Sequence, residues 1–464
     1  GQRGGGGGST QAAYADILVT APGGKPLPLL EHVSSGELKG LAQARDRELP
    51  ALSDQLAEFV SRTADELNRA HNAASAVPPP ATLAGRNTGL DLPVIVAGFS
   101  GRTTISAVDA AGRVTRRIDI DFTAGTVRVN GAAAGGFTPA TFLSALDAAL
   151  DPAADATFSN GALTLSARTG GLAVSDDPAA PAQRAGRGFA HFFGLNDLVR
   201  SAQPAFYETG LRAADPHGFT GDITFRLSSD SGVGLREVTV TPAAGGDMQA
   251  LVAQLNQTSG GVGLYGRFDL DVQGRLAFIP TTAPPAQLSV AADRTSRGAG
   301  GPSLSALFGL DAGQRGARAA GFTVRSDIAQ DPRRLAMAVY DRTAAIGGVA
   351  LSSGDNRGGL ALAVADERVT AFAGGRDFGP AAMTLSRYAA EFSGSVGARA
   401  AAAESRRESA EAIAGEAQAR RVAAEGVNLD EELVLLTTYQ QAYNASARLI
   451  QAAKELYDVL LQLP

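Results

Sequence analysis

Gly426-Val427-Asn428-Leu429-Asp430-Glu431-Glu432-Leu433, then Tyr439-Gln440-Gln441-Ala442-Tyr443-Asn444-Ala445-Ser446-Ala447-Arg448-Leu449-Ile450, then Glu455-Leu456-Tyr457-Asp458-Val459-Leu460-Leu461, decide how this chain is built. Gly426-Val427 interrupts one helical pattern and Asn428 opens another. The Asn428 side chain is placed to accept from the amide three residues on, and Glu431 stands where a capping box needs a carboxylate. Asp430, Glu431 and Glu432 suit the positive end of the helix dipole. Leu429, Leu433, Leu436, Tyr443, Ala447, Ile450, Tyr457 and Leu461 form one heptad seam. Leu435, Tyr439, Ala442, Leu449, Ala453, Leu456 and Leu460 form a second. A helix on one core needs one stripe, so two seams predict burial on two sides, as inside an assembly. The predicted assembly interface is Leu429, Leu433, Leu435, Leu436, Tyr439, Tyr443, Leu449, Ile450, Leu456, Tyr457 and Leu460. Gln440, Gln441, Arg448, Gln451, Lys454 and Glu455 interrupt the segment and argue against a membrane span.

Upstream, Pro380 to about Ala424 predicts another long helix. Leu385, Tyr388, Phe392, Val396, Ala403, Ala410, Ile413 and Ala417 hold a heptad-like seam, and Glu404, Arg406, Arg407, Glu408, Glu411 and Glu416 mark exposed faces. Near the start, Ala15–Ala21 and Pro26–Leu30 read as a short hairpin turned at Pro22–Lys25. Residues 36–72 switch to helical period, with Leu38, Leu41, Leu49, Leu52, Leu56, Phe59, Thr63, Leu67 and Ala70 on one face. Pro50 predicts a kink or the start of a second helix. Residues 73–97, with Pro78-Pro79-Pro80 and several Gly, read as a linker.

The middle region repeats with a period near 110 residues. In the first copy, strands around 118–129 precede a helix capped by Thr138 with Pro139 in its first turn, then strands at 156–167 turned at Asn160-Gly161. Arg187-Gly188 and Phe192-Phe193-Gly194-Leu195-Asn196-Asp197 close it. In the second, strands at 222–227 and 236–241 precede a helix from near Asp247, then strands at 265–279 turned at Gln273-Gly274. Arg297-Gly298 and Leu307-Phe308-Gly309-Leu310-Asp311 close that copy. The shared Arg-Gly and Phe-Gly-Leu-Asn/Asp mark a duplication of a β-rich module with one helix on its sheet. Between 320 and 379, Phe322–Arg325 is a short strand, Asp331–Ala336 a helical turn and Gly354–Gly359 a turn.

The 464 residues suggest roughly three domains. A net charge of −6 argues against nucleic-acid binding. The absence of Cys excludes disulfides and thiolate chemistry. The four His (His32, His71, His191 and His217) lack metal-ligand spacing. His71 reads as a dipole partner at a helix C-terminus, and His191, beside Phe192 and Phe193, as a packed core residue. No phosphate loop, nucleophile elbow or paired-carboxylate constellation stands out. The expectation is therefore no enzyme, no cofactor, no metal, no nucleic acid and no membrane. Two other readings stay open on the residues alone: a surface adhesin or binding module carried by the duplicated region, and an enzyme within that insertion.

The C-terminal run resembles the C-terminal helix of bacterial flagellar axial proteins, the rod, hook and hook-associated proteins. Ser35-Gly36-Glu37-Leu38-Lys39-Gly40-Leu41 with Arg45-Asp46 and Leu49-Pro50, Phe192–Asp197, and Gly354-Asp355-Asn356-Arg357 narrow the resemblance to the hook-associated proteins of the hook–filament junction. The repeats look similar to the flagellin-type inserted motif, a helix ending in Leu-Asn followed by two strands. The resemblance implies an α+β multidomain protein with a helical-bundle or coiled-coil inner domain and inserted β-rich outer modules. Residues 1–72 and 319–425 would form the inner domain, 73–97 a linker, 98–200 and 201–318 the two modules, and 426–464 the core helix. It also implies a secreted structural subunit, exported through a type III channel and placed in the extracellular flagellum. Hook protein, hook-associated protein 3, further copies of itself and an export chaperone on the C-terminal helix would be its partners. Such proteins begin with an N-terminal helix that pairs with the C-terminal one. Read from Gly1, the chain is expected to lack that helix and the export signals near it, with Gly1–Thr10 a loop or linker.

Overall fold

The computed structural model describes residues 18–20, 27–28, 33, 36–201, 204–229, 234–374, 379–426 and 428–461. It is an α+β fold in two compact units, one ending at Gly394 and one starting at Ser395. In the first, β1 (Leu18–Val19) pairs antiparallel with β2 (Leu27–Pro28). The turn at Pro22–Lys25 and Ser35 of the 35–41 motif lie outside the described residues.

Helix α1 (Glu37–Gln43) runs through a π-helical turn, Ala44–Glu48, into α2 (Leu49–Asn72), with Pro50 in the first turn of α2. Proline removes an amide donor and crowds the carbonyl one turn back, and the π turn opens the ladder at that point. The predicted apolar face is not the one that is buried. Leu38, Leu41, Leu49 and Leu56 are exposed, whereas Gln55, Glu58, Arg62, Asp65, Asn68, His71 and Asn72 are buried. The periodicity locates the helix, but partners for its polar face decide which side turns inward.

The duplication is visible in the topology. The first copy holds β3 (Thr82–Ala84), α3 (Leu92–Ala97), β4 (Arg102–Val108), β5 (Val114–Asp121), β6 (Thr126–Val129), β7 (Gly135–Gly136), α4 (Phe142–Leu150), β8 (Ala154–Ser159), β9 (Ala162–Ala167), β10 (Gly171–Asp176) and α5 (Phe189–Phe193). After β11 (Val199–Ser201), the second holds β12 (Phe219–Thr220), β13 (Ile223–Ser228), β14 (Gly234–Val240), α6 (Met248–Leu255), β15 (Gly266–Leu270), β16 (Leu276–Pro280), β17 (Gln287–Asp293), β18 (Ser296–Arg297) and α7 (Leu304–Phe308). The sheets run β10-β4-β5-β6-β7 and β17-β13-β14. In each copy the first strand of the hairpin lies between its partner and the last strand. A second hairpin, β8–β9 or β15–β16, follows the helix.

Four readings need correction. Strand β4 was not anticipated. Helix α4 begins at Phe142 rather than Pro139, because Thr138 closes a turn in which the Thr141 amide donates to Thr138 Oγ1 (3.3 Å). Residues 73–97 are not a bare linker: β3 pairs with β9, and Leu83, Leu90 and Ile95 enter the core. The repeat also starts further upstream, at Thr88-Gly89-Leu90 and Thr209-Gly210-Leu211. Thr88 Oγ1 donates to the Gly161 carbonyl (2.8 Å) and Thr209 Oγ1 to the Gly274 carbonyl (2.7 Å), each closing on the hairpin turn of its own copy. Side chains of both copies join one hydrophobic cluster that reaches from Leu83 to Leu310, so the expected modules share a core.

The Phe-Gly-Leu-Asn/Asp motif docks each copy on α2. Helices α5 and α7 end on left-handed glycines, Gly194 (φ 67°) and Gly309 (φ 60°), which allow the chain to reverse and bury Leu195 and Leu310. In the first copy, Asn196 Nδ2 donates to the carbonyls of His71 and Ala74 (3.1 Å each) and its amide donates to Asn72 Oδ1 (2.8 Å). These bonds add to the turn at the end of α2 in which the Ala74 amide donates to the His71 carbonyl (3.3 Å). In the second, Asp311 caps α8 (Ala312–Ala317), and Arg315 of α8 reaches Asp54 near the start of α2 (3.0 Å). His71 is not a charged dipole partner. Its Nε2 accepts from the Ala336 amide (3.0 Å), Nδ1 faces the Asn196 carbonyl (2.6 Å), and burial lowers its pKa.

Strand β19 (Phe322–Val324) pairs with β11, followed by α9 (Ser326–Gln330), a short turn at Pro332–Arg334, α10 (Arg357–Ala363), and the pair β20 (Thr370–Phe372) and β21 (Ala381–Met383). The Gly354–Arg357 motif closes a clasp: Asp355 Oδ2 accepts from the Val339 amide (2.9 Å) and Arg357 Nη2 donates to the Val339 carbonyl (3.2 Å). Helix α11 (Leu385–Glu425) and helix α12 (Leu429–Leu460) end the chain. Replacing Asn196 by Ala removes the donor to the Ala74 carbonyl and leaves the His71 carbonyl with its backbone partner alone, and urea denaturation should register a loss of about 1–3 kcal/mol.

Candidate assembly surface

The first turns of α11 belong to the first unit. Leu385 and Tyr388 are buried there, and the Tyr388 ring stacks on Phe372 and Phe59 at centroid distances of 4.0 and 6.1 Å. From residue 400 to 461 every described residue is exposed. Helix α11 is supported along this length by ion pairs one turn apart, such as Arg407–Glu411 (2.6 Å) and Arg420–Glu416 (2.5 Å). Exposed pairs of this kind contribute a few tenths of a kcal/mol each.

Helix α12 opens on Asn428, whose Oδ1 accepts from the Asp430 amide (3.1 Å). That bond reaches two residues on, not three, and the capping box with Glu431 is not made. All eleven side chains of the predicted interface stand exposed along α12, from Leu435 at 44% to Tyr443 at 76% of their free surface. The two seams are therefore on the helix and uncovered. Among the described residues no helix is long and apolar enough to cross a membrane, and no group of His, Asp and Glu could hold a metal ion.

The strongest polar constellation in the molecule is buried, not open to a substrate. Glu58, Arg62 and Asp65 occupy successive turns of α2. Arg62 donates to Glu58 (2.8 Å) and to Glu208 (2.5 Å). Arg187 forks onto both Asp65 oxygens (3.0 Å each) and also reaches Glu208 (3.2 Å). Arg275 bonds Glu208, Arg318 bonds Glu58, and the Ala373 amide donates to Glu58 (2.8 Å). His191 faces Asp65 through Nε2 (2.9 Å), while its Nδ1 is buried without a partner.

Burial alone would raise the three carboxyls. For Glu58 the guanidinium groups of Arg62, Arg318 and Arg275 override it, for Glu208 those of Arg62, Arg187 and Arg275, and for Asp65 the Arg187 guanidinium together with the hydrogen bond to His191. All three are held below the usual carboxylate range. Burial dominates at His191 and pushes it down to about 4, so that it is neutral near pH 7. His191 is thus buried as expected, but as part of an ion cluster. Glu58, Arg62, Asp65, Glu208, Arg275 and Arg318 were not singled out in the sequence, because their partners lie up to 315 residues away.

Residues 418–463 match the family described as flagellar basal body rod FlgEFG protein C-terminal. That similarity is confined to the end of the chain. The matched segment contains the whole of α12 and every residue of the predicted interface. No curated protein sequence matches the chain. Among solved structures, the flagellar hook junction protein FlgK from Burkholderia pseudomallei is similar at 12% identity and a TM-score of 0.21. That alignment covers 84% of this chain and 63% of that one, so the chain spans less than two thirds of its length.

Two outcomes follow from the buried cluster. Arg62→Met leaves Glu58 and Glu208 short of a partner in a desolvated site, and chemical denaturation should show a loss of about 3–5 kcal/mol. For pH, the unfolded chain takes up protons at His191 near 6.5, whereas the folded chain does so only near 4. Stability contributed by neutral His191 is therefore lost as pH falls from 6.5 to 4. The depressed carboxyls add a second loss, beginning near their unfolded values and continuing as pH falls through their folded ones. His191→Gln should flatten the upper part of a midpoint-versus-pH curve, leaving the share due to His71.

Proposed function

We propose that this chain is a structural subunit of the bacterial flagellum, of the hook-associated protein 1 kind, that joins hook to filament by polymerising through its terminal helices. One observation carries the reading: the rod-and-hook type segment presents two complete apolar seams to solvent on a single helix. Burying a large apolar side chain contributes about 1.5–3 kcal/mol, which a lone α12 cannot gain and an assembled one can. The exposed stripe Leu38, Leu41, Leu49 and Leu56 offers neighbours a second apolar surface. Hook protein, hook-associated protein 3 and further copies of the chain are the proposed neighbours in the assembly. An export chaperone would cover the α12 seams before assembly, outside of which they are a liability. The working location is the hook–filament junction, outside the cell.

Replacing Leu436 and Ile450 together by Asp in the full-length protein tests this. Cells should carry bare hooks and lose motility, while the purified variant keeps the thermal transition of the first unit. Normal motility with that double change refutes the proposal. In dilute, unassembled protein, amides across 433–457 should exchange fast, because α12 has no packing to protect it. Strong protection there would contradict an assembly-dependent helix.

A further inference from the structure

The two copies meet through contacts that repeat with their roles exchanged. The Arg184 amide donates to the Arg187 carbonyl (2.9 Å) and the Arg297 amide to the Pro302 carbonyl (3.0 Å). Arg187 and Pro302 each immediately precede a helix cap, Gly188 or Ser303. Arg184, not Arg187, is thus the counterpart of Arg297, and each heads the turn that leads into the closing helix of its copy. Both side chains are buried.

Each arginine bonds its own copy and also crosses to the other. Arg184 Nη1 donates to the Val94 and Ile95 carbonyls (3.0 and 2.8 Å) and Nη2 to the Gly210 carbonyl of the second copy (3.1 Å). Arg297 Nε donates to the His217 carbonyl (3.0 Å) and Nη1 to the Gly89 carbonyl of the first copy (3.1 Å). Gly89 and Gly210 are the same position in the two Thr-Gly-Leu turns, both at φ 70°. The close packing is exchanged as well. A Cβ on Gly210 would lie 2.9 Å from Arg184 Nε and 3.4 Å from the Ala185 Cβ, and one on Gly89 2.7 Å from Pro302 and 3.0 Å from Leu307.

Contact of i with j and of j with i defines an isologous interface, which closes on itself. We infer that the two copies form an internal pseudo-two-fold pair, held by a reciprocal clasp in which each copy's arginine locks the other copy's Thr-Gly-Leu turn. The partner this surface fits is a second copy of the same repeat, and the chain supplies that partner itself. The surface is then consumed within one chain and is not left to recruit a third repeat or a neighbouring subunit.

Amide exchange on the full chain tests the exchange of roles. In Arg184→Met, the turn 209–211, held by the Gly210 amide on the Gln273 carbonyl, should exchange roughly tenfold faster or more, with 88–90 near its wild-type rate. In Arg297→Met the turn 88–90 should respond instead, and 209–211 stay near wild type. An effect confined to the mutated copy, or one equal in both turns for both variants, overturns the inference. If the Met variants do not fold, Arg184→Lys and Arg297→Lys keep the charge, lose the fork, and are judged by the same comparison.

Discussion

Burying Glu58, Arg62 and Asp65 on one face of α2 constrains everything around it. Moving an ion out of water costs several kcal/mol even after relaxation, and the cost is recovered only where counter-charges are held in good geometry. Those counter-charges come from four separate places: Arg187 beside α5, Glu208 between the copies, Arg275 at the turn of β15–β16, and Arg318 after α8. None of these segments can shift without leaving a charge unpaired in a dry site. The helix is therefore less a member of an apolar core than the spine onto which both copies are pinned. The Asn196 and Asp311 ends fix the two limits of that contact.

The same choice explains what is left outside. With its charged face inward, α2 leaves Leu49 and Leu56 in solvent, in line with the exposed Leu38 and Leu41 of α1. With the seams of α12, the chain then carries two apolar surfaces that its own fold does not cover. In a monomer meant to remain one, such surfaces favour aggregation. Under the proposed function they would be the driving force of assembly, left free because α2 turns its charged face to the fold.

Legibility in the sequence followed the length scale of the interactions. The seams of α12 could be read because both lie on one uninterrupted helix, where heptad spacing and face are the same statement. The duplication could be read from Phe-Gly-Leu-Asn/Asp, but its register was displaced: three residues separate Arg184 from its helix cap Gly188 and five separate Arg297 from Ser303. Strand β4 was hidden because it is buried on both faces and carries polar residues. Its Ser106 is satisfied by Tyr340 (2.6 Å) and its Thr104 by Asp119 (2.6 Å), so no apolar alternation marks it. The buried face of α2 was not legible because apolar spacing is local, whereas the pairing of Asp65 with Arg187 spans 122 residues. A capping box depends on which rotamer the first turn selects, and Asn428 takes the nearer amide.

Closed and open interfaces do different work in one chain. An isologous pair ends with two members, whereas growth of a ring or a filament needs surfaces that meet unlike surfaces on the next copy. The repeats are matched to each other, share one core and are tied by arginines that leave no copy of the clasp unoccupied. The helices are the opposite case: α12 has two seams that differ in composition, one with Tyr443, Ile450 and Tyr457, the other with Tyr439, Ala442 and Ala453. Under the proposed function, two unlike seams on one helix would face two different neighbours. Under the proposed function, the repeats add bulk and rigidity to each subunit while the propagation of the assembly falls to the helices.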